Sequence, residues 1–306
     1  MKLCVTGGSG MVGRNLLENN PDPLQYDIQT KPSSELNLLD YAAVRQYLEE
    51  VSPDLIIHCA GKVGGIQANI KSPYDFCFEN LQMGVNLVRA AKEVGIRKFI
   101  NLSSSCAYPR NYVNPLKEEY TLKAELEPTN EGYALAKLSV LKLCEYISKQ
   151  YPDFQYKTLV PCNLYGRFDK FDENSSHMIP AVIRKIHEAK VANNKEVVIW
   201  GDGLAKREFM YCGDLAQCIF QAVQRFEGLP FVMNAGVGKD YTINEYYDVI
   251  KAVVGFDGDF VHDLDKPVGM SQKLLDVSRQ KEWGWMPQTS LVDGVRKTYD
   301  YFLNGA

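Results

Sequence analysis

Residues 2–13 read Lys2-Leu3-Cys4-Val5-Thr6-Gly7-Gly8-Ser9-Gly10-Met11-Val12-Gly13. Leu3-Cys4-Val5 is a short apolar run of the kind that forms a buried strand, and a helical pattern opens at about Val12. Between them Gly7, Gly10 and Gly13 give G-x-x-G-x-x-G. Such glycines allow a tight turn and let the backbone approach a pyrophosphate. The helix N-terminus then offers unpaired N–H groups to that anion. With a strand before it and a helix after it, the loop reads as a dinucleotide site formed by Gly7, Gly10, Met11, Val12 and Gly13. A glycine-rich turn without a ligand is the plainer alternative.

The segments beyond the loop keep the same alternation. Tyr26 to Gln29, Leu55 to Ala60, Phe99 to Leu102 and residues 156–160 read as strands. Helical patterns occupy the stretches through Glu50, from about Asp75 to Val94, and over 132–150. Short apolar runs alternating with helical periods predict parallel βαβ units. After Tyr165 the pattern loosens into a polar loop (166–176), a helix (178–190), strands Val197 to Trp200 and Phe209 to Tyr211, and a helix capped by Asp214. Thr242-Ile243-Asn244-Glu245 is a capping box, and the last helix runs from about Ser290 to Leu303. The expected fold is α/β: a Rossmann-type doubly wound parallel sheet with a smaller C-terminal α/β substrate-binding lobe. The dinucleotide-binding Rossmann domain would span 1–165, with 214–235 returning to it. The lobe would comprise 166–213 and 236–306, with a ligand cleft between the two.

NAD sites favour a carboxylate after the second strand, to hold the ribose 2′-hydroxyl. Here that strand ends Ile28-Gln29-Thr30-Lys31, and Lys31 can meet a 2′-phosphate. Arg14 is a second cation for it, which favours NADP(H); both could instead be solvated surface charges. Asp40, which can cap the helix through Glu50, is grouped with the cofactor-binding residues.

The chain has 306 residues, 45% apolar and 24% charged, enough for a sizeable core. A net charge of −4 argues against nucleic-acid binding, which wants a basic face. None of the 8 cysteines is spaced C-x-x-C, so no metal site is indicated. Most lie in apolar runs and read as reduced thiols of a cytoplasmic protein. No segment has signal-peptide or membrane-spanning character.

Tyr133-Ala134-Leu135-Ala136-Lys137 puts a phenol and an ammonium one helical turn apart. An adjacent cation, together with an oxidised nicotinamide, favours phenolate and suits the tyrosine to proton exchange during hydride transfer. Ser104 or Ser105, after strand 99–102, could hydrogen-bond the same oxygen. Glycine loop, serine cluster and Y-x-x-x-K in this order resemble the extended short-chain dehydrogenase/reductase family.

Further motifs narrow the resemblance: residues 62–69, Ser103-Ser104-Ser105-Cys106-Ala107-Tyr108-Pro109, residues 126–133, Asn163-Leu164-Tyr165-Gly166, Ser176-His177-Met178-Ile179-Pro180, residues 198–203, Arg207-Glu208-Phe209 and Lys273-Leu274-Leu275-Asp276. Over nearly the whole chain these are similar to the GDP-L-fucose synthase family. The resemblance implies NADPH-dependent conversion of GDP-4-keto-6-deoxy-D-mannose to GDP-L-fucose, with C3/C5 epimerisation before C4 reduction. It makes Cys106 the base, His177 the acid, and Ser104, Tyr133 and Lys137 the reductive set. Arg207, Lys273 and Lys185 would grip the diphosphate, Trp200 would stack on guanine, and Asn163 and Met178 would line the sugar–phosphate path. Without that resemblance, a Cys after a strand is a core residue and a His at a helix start a cap. Trp200 could likewise be a strand-end core residue, and His58, His187 and His262 read as structural or solvated. The family also implies a homodimer, formed through the helices around 75–94 and 132–150.

Some residues depart from the family pattern. Val268 replaces a carboxylate, Gln272 a base, and Gly-Gly-Ser-Gly the frequent Gly-His-Arg-Gly. They leave open a C4 reductase for another GDP-keto-sugar, such as a 6-deoxyheptose, with weak or no epimerisation. A 4-epimerase with retained cofactor would leave Cys106 and His177 without a task. A non-catalytic dinucleotide sensor would have no need of Ser104, Tyr133 and Lys137.

Overall fold

The computed structural model describes residues 1–172, 176–266 and 270–305. Val268 and part of the polar loop 166–176 lie outside the described residues. The chain begins β1 (Lys2–Thr6), α1 (Met11–Glu18), β2 (Asp27–Gln29), α2 (Tyr41–Val51), β3 (Leu55–His58), α3 (Ile66–Lys71), α4 (Pro73–Val94), β4 (Lys98–Leu102), α5 (Glu131–Gln150), β5 (Gln155–Pro161). It continues β6 (Asn163–Tyr165), α6 (Met178–Val191), β7 (Glu196–Trp200), β8 (Lys206–Arg207), β9 (Phe209–Tyr211), α7 (Cys212–Gln224), β10 (Val232–Ala235). The remainder is β11 (Tyr241–Thr242), α8 (Ile243–Val254), β12 (Asp259–Asp263), β13 (Gln272–Lys273), α9 (Ser278–Trp283) and α10 (Leu291–Gly305).

Six strands form one parallel sheet in the order β10-β5-β4-β3-β1-β2. Side chains alternate across it. Leu3, Val5, Leu55 and Ile57 face Leu16 of α1, Leu215 and Ile219 of α7 and Trp283 of α9. Cys4, Ile56 and Phe99 face Val44 and Leu48 of α2, Leu87 and Ala91 of α4, and Val140 of α5. Both faces are therefore dry, which is why these strands read as continuous apolar runs. Each fully buried Leu, Ile or Val stabilises by roughly 1.5–3 kcal/mol. The sheet is Rossmann-type and doubly wound.

From β1 the chain moves out to β2, then crosses back to β3 on the other side of β1. The strand order reverses there, opening a crevice at the carboxyl ends of β1 and β3. The two ends are tied together. Cys59 N donates to Thr6 O at 3.2 Å, and Thr6 Oγ1 pairs with His58 Nδ1 at 2.8 Å. Burial, with the nearby Lys137, pushes His58 down to about 3, so it stays neutral within the sheet.

A separate apolar cluster joins Ile179 and Ile183 of α6, Val197 and Ile199 of β7, Tyr246 and Ile250 of α8, and Val295 of α10. Along β7 these buried residues alternate with exposed Val198 and Trp200, so Trp200 is not a core residue. The capping box at Thr242 and Glu245 forms. The cap expected from Asp214 does not. Helix α7 starts at Cys212, and the buried Asp214 carboxylate instead accepts from Thr289 N at 3.0 Å and Oγ1 at 2.8 Å. Among the described residues no helix is long and apolar enough to cross a membrane.

Candidate active site

The glycine loop closes tightly over the end of β1. Gly10 N donates to Gly7 O at 3.0 Å, and Gly7 takes φ +74°, a left-handed value that favours glycine. A Cβ on Gly13 would lie 2.2 Å from Gly7 O, so only glycine lets α1 sit this close to the loop. No side chain caps α1 and its first turn holds no acid. Its leading N–H groups, those of Met11, Val12 and Gly13, have no intrahelical acceptor. These features fit a dinucleotide pyrophosphate. Arg14 and Lys31 are exposed. The Arg14 guanidinium lies 3.9 Å over the Phe168 ring, and Lys31 Nζ lies 5.2 Å from the Tyr47 ring centroid. Asp40 uses its carboxylate to cap α2, accepting from Ala42 N and Ala43 N.

Beyond β4 the chain turns sharply. Ser104 Oγ accepts from Cys106 N at 3.2 Å and caps a 3-10 turn, Ser105–Ala107. Tyr108 anchors the far side of the turn. Its ring is buried and its hydroxyl donates to Asn234 Oδ1 on β10 at 2.6 Å. Cys106 is thereby held at the carboxyl end of the sheet, beside the start of α5.

Tyr133 and Lys137 sit on the first turns of α5. Lys137 Nζ donates to Leu102 O at 3.0 Å and lies 5.9 Å from the Tyr133 ring centroid. Burial lowers the Lys137 ammonium to about 8. The expectation of a lysine-favoured phenolate does not hold for the protein by itself. Burial, then the charge of the nearby Cys106, pushes the Tyr133 phenol up, and the Ser104 hydrogen bond only partly offsets them. Tyr133 is therefore a protonated phenol next to Ser104, poised to donate rather than to accept.

The Cys106 sulfur receives Asn130 Nδ2 at 3.3 Å and Lys273 Nζ at 3.4 Å. Burial pushes this thiol up, but the Lys273 charge and donors from Ser104, Lys273 and Asn130 outweigh it, leaving the thiol below its usual value. Burial drives Cys4, Cys59, Cys144, Cys162, Cys212 and Cys218 the opposite way. Thiolate character is the mark of a reactive cysteine, and Cys106 alone shows that shift among the described residues.

The other expected residues lie on or beside β6, α6, β7, β8 and β13. His177 is at the N-cap of α6, its Nδ1 3.6 Å from Asp169 Oδ1, with Met178 opening the helix. Lys185 donates to Val198 O, two residues before the exposed Trp200. Arg207 and Lys273 are register partners on parallel strands β8 and β13, and burial lowers the Arg207 guanidinium. Asn163 Nδ2 donates to Glu208 O, tying β6 to the Arg207 segment. His187 pairs with Tyr299 and His262 with Asn244, both away from Cys106.

Asn130 and Asp169 were not singled out by sequence reasoning. Asn130 lies in a quoted motif, three residues before Tyr133, which was its available signal. A cavity of about 210 Å³ beside Tyr133 is lined in part by Asn69, Asn130 and Gly132. The Oδ1 atoms of Asn69 and Asn130 are buried without a protein partner.

Comparison with known proteins agrees with this geometry. Residues 3–236 match the model of the NAD dependent epimerase/dehydratase family. The chain is 52% identical to GDP-L-colitose synthase of Yersinia pseudotuberculosis, over 99% of this chain and 98% of that protein. It is 47% identical to GDP-L-fucose synthase of Azorhizobium caulinodans, over 99% and 97%. A solved structure of MlghC, a GDP-mannoheptose C4 reductase from Campylobacter jejuni with NADP bound, superposes with a TM-score of 0.89 at 29% identity, over 99% and 98%. The chain is an enzyme that belongs to the NAD dependent epimerase/dehydratase family, and it is similar over its whole length to GDP-L-colitose and GDP-L-fucose synthases.

Proposed function

We propose that this enzyme is an NADPH-dependent epimerase-reductase of a GDP-4-keto-6-deoxy-sugar, converting GDP-4-keto-6-deoxy-D-mannose to GDP-L-fucose. The observation that carries the reading is the grouping of Ser104, Cys106 and Tyr133, with the Cys106 thiol lowered and the Tyr133 phenol raised. A base and an acid of opposite disposition then share one site. The residues would be divided between a Rossmann domain, 1–165 with 214–235, and a nucleotide-sugar lobe, 166–213 and 236–306. The working form would be a cytoplasmic homodimer.

The chemistry follows from these residues. Cys106 takes a proton from C3 and later C5, each next to the 4-keto carbon. Tyr133 and Ser104 hold the oxygen that gains negative charge. His177 returns a proton on the opposite face. The glycine loop and the α1 N-terminus would hold the NADPH pyrophosphate, Arg14 and Lys31 would hold its 2′-phosphate, and the cofactor when bound would supply hydride at C4. Tyr133 then gives its proton to O4, and Lys137 orients the ribose side of the cofactor. The cavity beside Tyr133, with the free oxygens of Asn69 and Asn130, suits a hydroxylated ring. Arg207 and Lys185 serve the diphosphate, and Trp200 offers an exposed face to the base.

A second reading, reduction at C4 of another GDP-keto-sugar, is favoured by the resemblance to the mannoheptose reductase. Product NMR in deuterated water, with GDP-4-keto-6-deoxy-D-mannose and NADPH, separates the two. Deuterium at C3 and C5 with inverted configuration supports the epimerase-reductase. Reduction with no deuterium at either carbon supports the reductase alone. No turnover with this or any GDP-keto-sugar would remove both.

A further inference from the structure

Lys273 was expected at the diphosphate, yet its ammonium meets the Cys106 sulfur at 3.4 Å. The backbone that carries it is firmly held. Leu274 N donates to Asn114 Oδ1 at 2.9 Å, Leu275 N to Glu208 Oε2 at 2.9 Å, and Leu116 N to Leu274 O at 2.7 Å. Lys273 therefore arrives at Cys106 from a fixed strand, not from a loose loop.

Asn130 approaches the same sulfur. It is the N-cap residue of α5, but its side chain caps nothing; the amide donates to Cys106 at 3.3 Å. A lysine ammonium has only donors, and an amide nitrogen likewise. A sulfur between these two donors gains nothing by keeping its own proton. The groups facing it are the Lys273 ammonium from β13, the Tyr133 phenol from α5, the Asn130 amide from the N-cap of α5, and Ser104 from its own turn.

We infer that Lys273 is a positioning residue for Cys106: with the Asn130 amide it holds the sulfur as the thiolate that withdraws the proton from the sugar. This rests on the proposed role of Cys106 as the base. The diphosphate is then left chiefly to Arg207, the register partner of Lys273.

The test is iodoacetamide labelling of the whole enzyme across pH 5 to about 10, spanning the usual thiol range, read by mass spectrometry of the Cys106 peptide. Free glutathione in the same solution is the reference thiol. Wild-type Cys106 should half-label below the ordinary thiol value of about 8.5. Lys273→Met should raise that midpoint by about one unit, so labelling at neutral pH falls about tenfold. Lys273→Arg should keep most of the reactivity, since it keeps the charge. Asn130→Leu should raise the midpoint by a smaller amount. A Lys273→Met profile that overlays the wild type would overturn the inference. If Lys273→Met does not fold, an Asn130→Leu profile identical to wild type overturns it instead. A shifted profile in an enzyme that never exchanges deuterium at C3 or C5 would uphold the pairing and remove the base role.

Discussion

Ser104 touches both halves of the chemistry. Its hydroxyl accepts from Cys106 N at 3.2 Å, and its nearness to the Tyr133 phenol is the one influence that lowers that group. One short turn after β4 thus carries Ser104 and Cys106 together. The Cys106 charge is in turn one of the causes that keep the Tyr133 proton in place. An ionised Cys106 and a protonated Tyr133 therefore support each other.

Tyr133→Phe removes the proton donor while keeping the ring. Reduction is expected to fall about a hundredfold to ten-thousandfold, the usual range for losing a general acid. Ser104→Ala removes one donor to the oxygen and should cost about a hundredfold or more in kcat. NADPH oxidation measured in the stopped flow checks both. A Tyr133→Phe enzyme that transfers hydride at the wild-type rate would rule out the assignment of Tyr133.

Lys137 gives a pH dependence whose sign can be worked out. Burial lowers its folded value to about 8, below the 10.5 of the free side chain. Between those values the unfolded chain binds more protons, so stability from this group rises with pH and is lost as pH falls through 8. Below that point it costs about 3 kcal/mol. Lys137→Met should therefore stabilise the protein in the absence of cofactor at neutral pH, by about 2 kcal/mol once the unpaired Leu102 carbonyl is allowed for. The gain should shrink toward pH 10. Urea midpoints at neutral pH and at high pH measure the difference; a gain that grows with pH would contradict the sign.

Gly13→Ala would bring a Cβ within 2.2 Å of Gly7 O and 2.5 Å of Gly8 Cα, both backbone atoms that cannot swing aside. The loop must shift, and NADPH affinity should weaken by about tenfold or more, or about 1.4 kcal/mol. Removing Lys31 should weaken NADPH and leave NADH unchanged. Isothermal titration with each cofactor checks this; equal losses for NADH and NADPH on Lys31→Ala would place Lys31 away from the 2′-phosphate.

Trp200 is 55% exposed at the end of β7, so truncating it leaves the core intact. Trp200→Ala should change stability by about 0.5 kcal/mol at most. Its GDP affinity should fall by about 1–3 kcal/mol, the worth of one base stacked on an aromatic ring. Unaltered GDP binding would mean that Trp200 does not touch the base.

The sheet was legible because Leu3-Cys4-Val5 and Leu55 to Ile57 are buried on both faces and punctuated by glycine. Strand order was not, because nothing local tells β10 to pair with β5, whose partner residues lie 74 positions earlier. Asp214 was misread for a similar reason: Asp is a good cap, but its partner Thr289 is 75 residues away. At the site, motifs revealed Cys106 and Tyr133. Their ionisation was hidden, since that of Tyr133 depends on burial and on Cys106, and that of Cys106 also on Lys273, 167 residues downstream of it. The Tyr133 phenolate expected from Y-x-x-x-K does not form in the protein by itself, because burial and the Cys106 charge, neither visible in the spacing, push the phenol up.

The division of labour between Cys106 and Tyr133 is tested most directly in Cys106→Ser, by NMR of the product formed in deuterated water from GDP-4-keto-6-deoxy-D-mannose and NADPH. Serine keeps the turn but is a far weaker base at neutral pH. We expect no solvent deuterium at C3 or C5, while some hydride still reaches C4. Full deuterium at both carbons, or loss of reduction together with exchange in a folded protein, would contradict the assignment.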